Sequence, residues 1–158
     1  MPSAGFWSIG GYKISFRKDG RWYADDEVIG NARIARLFAE NVRSDGKGGW
    51  VIDVGIDRHP VTVEDTALVV TVLEGDPAAG FRVRANDGVT DDLDCTTLTI
   101  GDDNVLYCEL DRGERGKIRA RFLRGPYYLL TGHLEIDEAT GTAALANRGR
   151  RHPIARRS

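Results

Sequence analysis

Apolar and polar positions alternate from Tyr12 to Arg17, with Tyr12, Ile14 and Phe16 set against Lys13, Ser15 and Arg17. That is the period of a half-buried strand. Asp19-Gly20 then marks a turn, and Arg21, Trp22, Tyr23 and Ala24 read as the returning hairpin partner. Gly30-Asn31 stands where a helix cap belongs. After it Ile34, Leu37, Phe38 and Val42 fall at i, i+3, i+4 and i+8, one apolar stripe of a helix of about three turns. The spacing predicts a helix over 31–43, the only one longer than two turns, with Ile34, Leu37 and Phe38 against a sheet. The glycines between Ser44 and Gly49 suit its C-terminal cap and the start of a hairpin.

From Trp50 onward the pattern is that of strands, over 50–56, 61–64, 67–73, 81–85, 95–100, 104–110 and 117–122. Residues 127–136 and 142–146 flank Asp137-Glu-Ala-Thr-Gly141 as a last hairpin. Strands about 8–12 residues apart after one early helix predict an α+β, β-rich fold. Its core is expected to be a twisted, partly closed antiparallel sheet. Arg17-Lys-Asp-Gly20 and Arg84-Ala-Asn-Asp-Gly88 form a weak internal echo, each ending a strand in Asp-Gly.

Composition adds bounds. The chain has 158 residues, of which 41% are hydrophobic and 29% charged, ordinary proportions for a globular domain. No apolar run approaches the roughly 20 residues that span a bilayer. The first residues lack the basic-then-apolar order of a secretory signal, so a cytoplasmic protein without membrane insertion is expected. The formal charge is −2, yet residues 148–158 hold five arginines and no acid, which leaves −7 on the remainder. An acidic body disfavours binding to a nucleic-acid backbone, and no specific nucleic acid is expected as a partner. The arginine-rich end is expected to be a basic disordered tail.

The inventory of reactive residues excludes several chemistries. Asp45-Gly-Lys-Gly-Gly49 lacks the spacing and the Ser/Thr of a phosphate-binding loop, and reads as a hairpin turn. No Gly-x-Ser-x-Gly elbow occurs. His59, His133 and His152 are far apart, without ligand spacing, so neither a metal nor a cofactor is expected. With 101–104 as a hairpin loop, Cys95 would face Leu110 and Thr97 would face Cys108. That puts the cysteines diagonally about 7–8 Å apart, beyond the usual disulfide span. The acids around Asp91–Asp94 and Asp102-Asp103 lack EF-hand spacing.

More suggestive is a set of aromatic and basic residues. Trp22 and Tyr23 stand near the helix arginines Arg33 and Arg36, which share one face. Guanidiniums grip phosphate bidentately and rings stack on bases. Lys117, Arg119 and Arg121 occupy one side of a strand, with Ile118, Ala120 and Phe122 on the other.

Taken in order, several of these segments resemble a bacterial family known as domain of unknown function 1285. They are Asp19-Gly-Arg-Trp-Tyr23, Ile29-Gly30 leading to Arg33 and Leu37-Phe38, Val42-Arg43 and Val63-Glu-Asp65. Phe81 to Gly88 with Asn86-Asp87, and Arg121-Phe-Leu-Arg-Gly-Pro-Tyr-Tyr128, complete the set. The similarity covers about residues 9–130. It implies a duplicated domain with an N-terminal α/β part (1–58), a pleckstrin-homology-like β part (59–147) and the tail (148–158). It also implies a small anionic, nucleotide-like ligand between the halves, in a signalling role. Asp65 and Asn86 would supply polar contacts there, beside Arg33, Arg36, Arg119 and Arg121. The chain departs from the family at Thr66-Ala67-Leu68, where Ala-Pro-Phe is usual, and in 129–146, a hairpin where the family ends in a helix. A protein-interaction module is the alternative, and a homo-oligomer is compatible with either. An acid-base hydrolase using Asp65 or Asp87 is the third class.

Overall fold

The structure is a computed structural model that describes residues 11–55 and 57–157. As the alternation predicts, β1 (Ile14–Phe16) and β2 (Trp22–Ala24) pair antiparallel, Phe16 opposite Trp22, across residues 17–21. Gly20 turns the chain at φ 82°, in the left-handed region that glycine enters freely. β3 (Glu27–Val28) extends the hairpin. Asn31 caps α1 (Ala32–Asn41), its side chain accepting from the N–H groups of Arg33 and Ile34. β4 (Val42–Ser44) and β5 (Trp50–Asp53) flank the glycine-rich turn, and β6 (Arg58–Val63) returns parallel to β1. The six strands lie in the order β3-β2-β1-β6-β5-β4.

The second sheet has nine strands. β7 (Leu68–Asp76), β8 (Gly80–Ala85) and β9 (Thr90–Asp92) form a meander. β10 (Thr99–Ile100), β11 (Leu106–Asp111) and β12 (Lys117–Phe122) precede α2 (Arg124–Thr131). β13 (Leu134–Asp137), β14 (Thr142–Asn147) and β15 (Arg150–Arg156) follow it. The order is β13-β14-β15-β10-β11-β12-β7-β8-β9, with parallel pairs at β10/β15 and β12/β7. One continuous core runs through both sheets, from Phe16, Trp22 and Phe38 to Phe81, Phe122 and Leu145.

One path is traced twice. β10 to β15 with α2 repeats β1 to β6 with α1: three strands, a helix, three strands, the last parallel to the first. Read outward, β12-β11-β10-β15-β14-β13 matches β3-β2-β1-β6-β5-β4. Even the closing bonds correspond: Glu64 N–H donates to the Phe16 carbonyl and Arg157 N–H to that of Ile100. The β1–β2 turn (17–21) and the β10–β11 turn (101–105) thus occupy equivalent places. The meander β7–β9 lies between the two copies in sequence. Arg84–Gly88 sits in that meander, so its echo of Arg17–Gly20 is not the structural repeat.

The structure corrects other expectations. Both sheets are mixed rather than antiparallel, and the two outermost strands of the larger sheet, β13 and β9, do not pair with each other. β6 belongs to the first sheet, so the sheets meet at 64–67 rather than at 58. Residues 127–131, the first part of the strand expected over 127–136, belong instead to the helix Arg124–Thr131. Tyr127, Tyr128 and Thr131 favour strands, but Leu129 and Leu130 are good helix formers and Pro126 suits a first helical turn. Pro126 and Leu130, four apart, are the buried pair of that helix. The expected tail is β15, hydrogen-bonded on both sides by β14 and β10. Its alternation is masked by arginines, and only Ile154 is buried. The stripe of α1 is centred on Phe38 and Ala39, with Ile34 and Leu37 half-buried.

Cys95 begins a short 3-10 turn, and Ile100 pairs with Leu106, a register one residue from that expected. Both cysteines are free and buried. Burial pushes the Cys95 thiol up to about 11 and that of Cys108 to about 12. Two free thiols should titrate in the unfolded, unreduced protein, and Cys108 should resist alkylation while folded. A folded pKa above the unfolded value favours the native state below the unfolded pKa. Stability should therefore fall as pH climbs from about 9 towards about 12, less steeply in Cys108→Ala. An equal alkaline slope in both proteins would refute this.

Candidate functional site

The short segment joining the sheets is held from both sides. Glu64 accepts the Lys18 N–H at 2.8 Å from the first sheet. Asp65 accepts from the Tyr107 hydroxyl at 2.7 Å and from the Arg121 guanidinium at 2.9 Å in the second. The buried Thr66 hydroxyl accepts the Arg121 N–H and donates to the Leu68 carbonyl. The Arg119 guanidinium lies over the Tyr107 ring, 3.8 Å from its centroid. Burial, then the hydrogen bond to Asp65, raises the Tyr107 pKa above its ordinary value. Asp65, Tyr107, Arg119 and Arg121 are one assembly.

Beside it an open cleft of about 850 Å³ lies between the two equivalent turns and the start of α2. The β1–β2 turn contributes Lys18 and Asp19, the β10–β11 turn Asp103 and Asn104. Arg121, Arg124, Tyr127 and Tyr128 line the opposite side. No side chain caps α2; the Leu123 N–H is taken by the Val70 carbonyl and Pro126 has none, so the Arg124 and Gly125 N–H groups are the ones that favour negative charge there. Tyr127 and Tyr128 meet edge to face at 5.4 Å, and Tyr128 is 65% exposed. Gly20 packs against Val69 and Leu123, where a Cβ would approach their methyl groups to 3.1–3.2 Å. Close packing sets the cleft wall.

The predicted site residues divide. Asp65, Arg119 and Arg121 come together, and Arg121 reaches the cleft. Trp22 is core, tilted against Phe16 and edge to face with Phe38, its indole nitrogen buried without a partner among the described residues. Tyr23 lies under the Arg17 guanidinium and donates to Asp19. That hydrogen bond raises its pKa. Asn86 accepts the Val69 N–H and so braces the meander. Arg33 is exposed on α1, and Arg36 lies against the Gly88 turn. Neither lines the cleft. Lys18, Arg124, Tyr127 and Tyr128 were missed as site residues. The family-like segment from Arg121 to Tyr128 was the available signal, though its Tyr127 and Tyr128 fell in an expected strand rather than a helix.

A second cluster joins the halves elsewhere. The Asp87 carboxylate, wholly buried, accepts from Arg112 at 2.6 Å and from Arg115 at 3.0 Å. Arg112, 4% exposed, also pairs with Asp91 at 2.6 Å. Arg115 donates to the Ala39 and Val42 carbonyls at the end of α1, 2.9 and 3.1 Å away. Cations favour that end of a helix. Asp87 is thus enclosed by two guanidiniums that carry the opposite charge. In the glycine-rich turn, Asp45 accepts the N–H groups of Lys47 and Gly49, which lowers its pKa. The turn spends those donors on its own carboxylate. Among the described residues no helix is long and apolar enough to cross a membrane.

No protein-family model matches the chain, and no curated protein does. Solved structures do. A DUF1285 family protein from Shewanella baltica OS155 aligns at TM-score 0.61 and 22% identity, over 77% of this chain and 92% of that one. Another, from Silicibacter pomeroyi DSS-3, aligns at TM-score 0.62 and 15% identity, over 91% of this chain and 80% of that one. At these identities the likeness is one of fold: this chain is built as the DUF1285 family proteins are.

Proposed function

We propose that the chain is a cytoplasmic member of the DUF1285 family, a duplicated domain that binds a small anionic, nucleotide-like ligand in the cleft beside α2, in bacterial signalling. Duplication is supported by the strand path traced twice. The pleckstrin-homology-like reading of the C-terminal half rests on one helix packed against antiparallel hairpins. The cleft carries the functional reading. It joins two guanidiniums, a lysine and an open helix start to a pair of tyrosines, at the place where both copies meet. Arginine grips an anion with directed donors, and an accessible ring pair offers a stacking face.

The probe is 1-naphthyl phosphate, an anion on a planar ring. It should raise the melting temperature of the protein, since a ligand at about 100 times its dissociation constant stabilises by roughly 2.7 kcal/mol. Arg124→Ala should weaken binding about tenfold or more, because a hydrogen bond to a charged group contributes about 1.5–3 kcal/mol. Arg124 is exposed, so the melting temperature of the free protein should hardly move. Binding unchanged in Arg124→Ala would remove the cleft from consideration.

A second reading has its own observation. Tyr128 and Leu129 of α2 and Ile136 of β13 are 65%, 59% and 66% exposed, and β13 has an unpaired edge among the described residues. Exposed apolar groups and a free edge suit a protein-interaction module. Concentration-dependent sedimentation that is abolished by Ile136→Lys would favour it.

A further inference from the structure

Resting on the cleft as a ligand site, we infer that it selects an anion of low charge and rejects polyphosphates, with Asp103 as the specificity-determining residue. The equivalent turns of the two copies each set a carboxylate on the wall, Asp19 from the first and Asp103 from the second. Against Lys18, Arg121 and Arg124 this leaves one positive charge in excess. Arg121 is itself already paired with Asp65 at 2.9 Å. A single phosphoryl or carboxylate group finds a guanidinium and a helix start, while each further phosphate would approach a carboxylate. Like charges held close disfavour binding, and this discrimination needs no loss of contacts to the preferred ligand.

The two carboxylates are differently placed to do this. Asp19 is engaged, accepting the Arg21 N–H at 2.9 Å and the Tyr23 hydroxyl. Asp103 is exposed and held in the left-handed region at φ 57°, followed by Asn104 at φ 60°. Asn104 is tied in turn to Arg156 of β15 at 3.1 Å. β15 thus anchors the turn that carries the selecting charge. Two successive residues in a sparsely populated conformation persist only where their surroundings hold them.

The test uses 1-naphthyl phosphate and inorganic tripolyphosphate, titrated calorimetrically into the full chain and into Asp103→Asn. Asparagine also tolerates the left-handed conformation, so the turn should survive, as an unchanged melting temperature would verify. The wild-type protein should bind naphthyl phosphate at least tenfold more tightly than tripolyphosphate. Asp103→Asn should tighten tripolyphosphate at least threefold and naphthyl phosphate by a distinctly smaller factor, so that the ratio between them falls. If naphthyl phosphate does not bind the wild-type protein, the ligand site itself falls, and this selectivity with it. If it binds but tripolyphosphate binds as well, or the ratio is the same in Asp103→Asn, the site stands and the selectivity is wrong. Asp103→Glu, which keeps the charge, should leave the ratio near that of the wild type.

Discussion

Asp87→Ala should destabilise the protein by about 3–5 kcal/mol, the cost of breaking a buried ion pair from one side. The Asp87 side chain is fully enclosed and Arg112 is 4% exposed, so the loss would strand a guanidinium away from water. Asp91 can hold only one part of that charge, being 31% exposed and bonded through a single Arg112 nitrogen. Arg115 would lose its 3.0 Å partner as well, loosening the contact with the Ala39 and Val42 carbonyls. Urea denaturation of Asp87→Ala, Arg112→Met and the double variant gives the coupling. The double variant should cost less than the sum of the two singles, because removing both charges leaves no orphan. A loss below about 1 kcal/mol in Asp87→Ala would mean that water reaches the cluster, contrary to its burial.

This cluster also shows what the sequence could not disclose. Asp87 lies next to Asn86 in the β8–β9 turn, while Arg112 and Arg115 follow β11. Nothing in their spacing says that these turns meet under the end of α1. The strand pairings decide it, and they depend on contacts remote in sequence. Local features were legible for physical reasons. The β1–β2 hairpin follows from alternation and Asp19-Gly20, α1 from Asn31 and its stripe, and Lys117–Phe122 from a clean period of two. What failed was of another kind. β15 is a strand through backbone bonds on both sides, with arginines at three of its seven positions and one buried side chain, so its periodicity says little. Residues 124–131 set two tyrosines and a threonine against two leucines and a proline position, and burial of Pro126 and Leu130 decided for helix.

The site was half legible for the same reason. Asp65 and Arg121 were found through family-like segments, and they do meet. Arg33 and Arg36 stand out in the sequence because they lie in family-like segments and bring charge to an otherwise acidic body. The cleft instead opens at α2, the helix of the second sheet. Arg124 at its first position and Lys18 of the β1–β2 turn are exposed cations lining the cleft. The strand path around α2 follows that around α1, and residue identities do not show this likeness.

Phe38→Ala should cost about 3–5 kcal/mol, as truncation of a buried aromatic does when its cavity cannot collapse. Phe38 is fully buried and meets Trp22 edge to face at 5.4 Å, while Trp22 meets Phe16 at 4.6 Å. Such pairs add about 0.5–1.5 kcal/mol beyond area burial. The walls of the resulting cavity are stiff, because β1, β2 and β6 are fixed to one another by backbone bonds. Leu37→Ala, on the half-buried flank of the same helix, should cost distinctly less. The shape of the transition is as informative as its midpoint. The core is continuous from Phe16 to Leu145, and Arg115 ties α1 to the second half, so both halves should unfold together in the wild-type protein. In Phe38→Ala the first sheet loses its central contact while the second keeps its own. Hydrogen exchange should then quicken in α1 and β1–β6 well before β7, β11 and β12. Uniform acceleration across both sheets would show that the joint at 64–67 and the Asp87 cluster transmit the damage, making the protein one cooperative unit even when weakened.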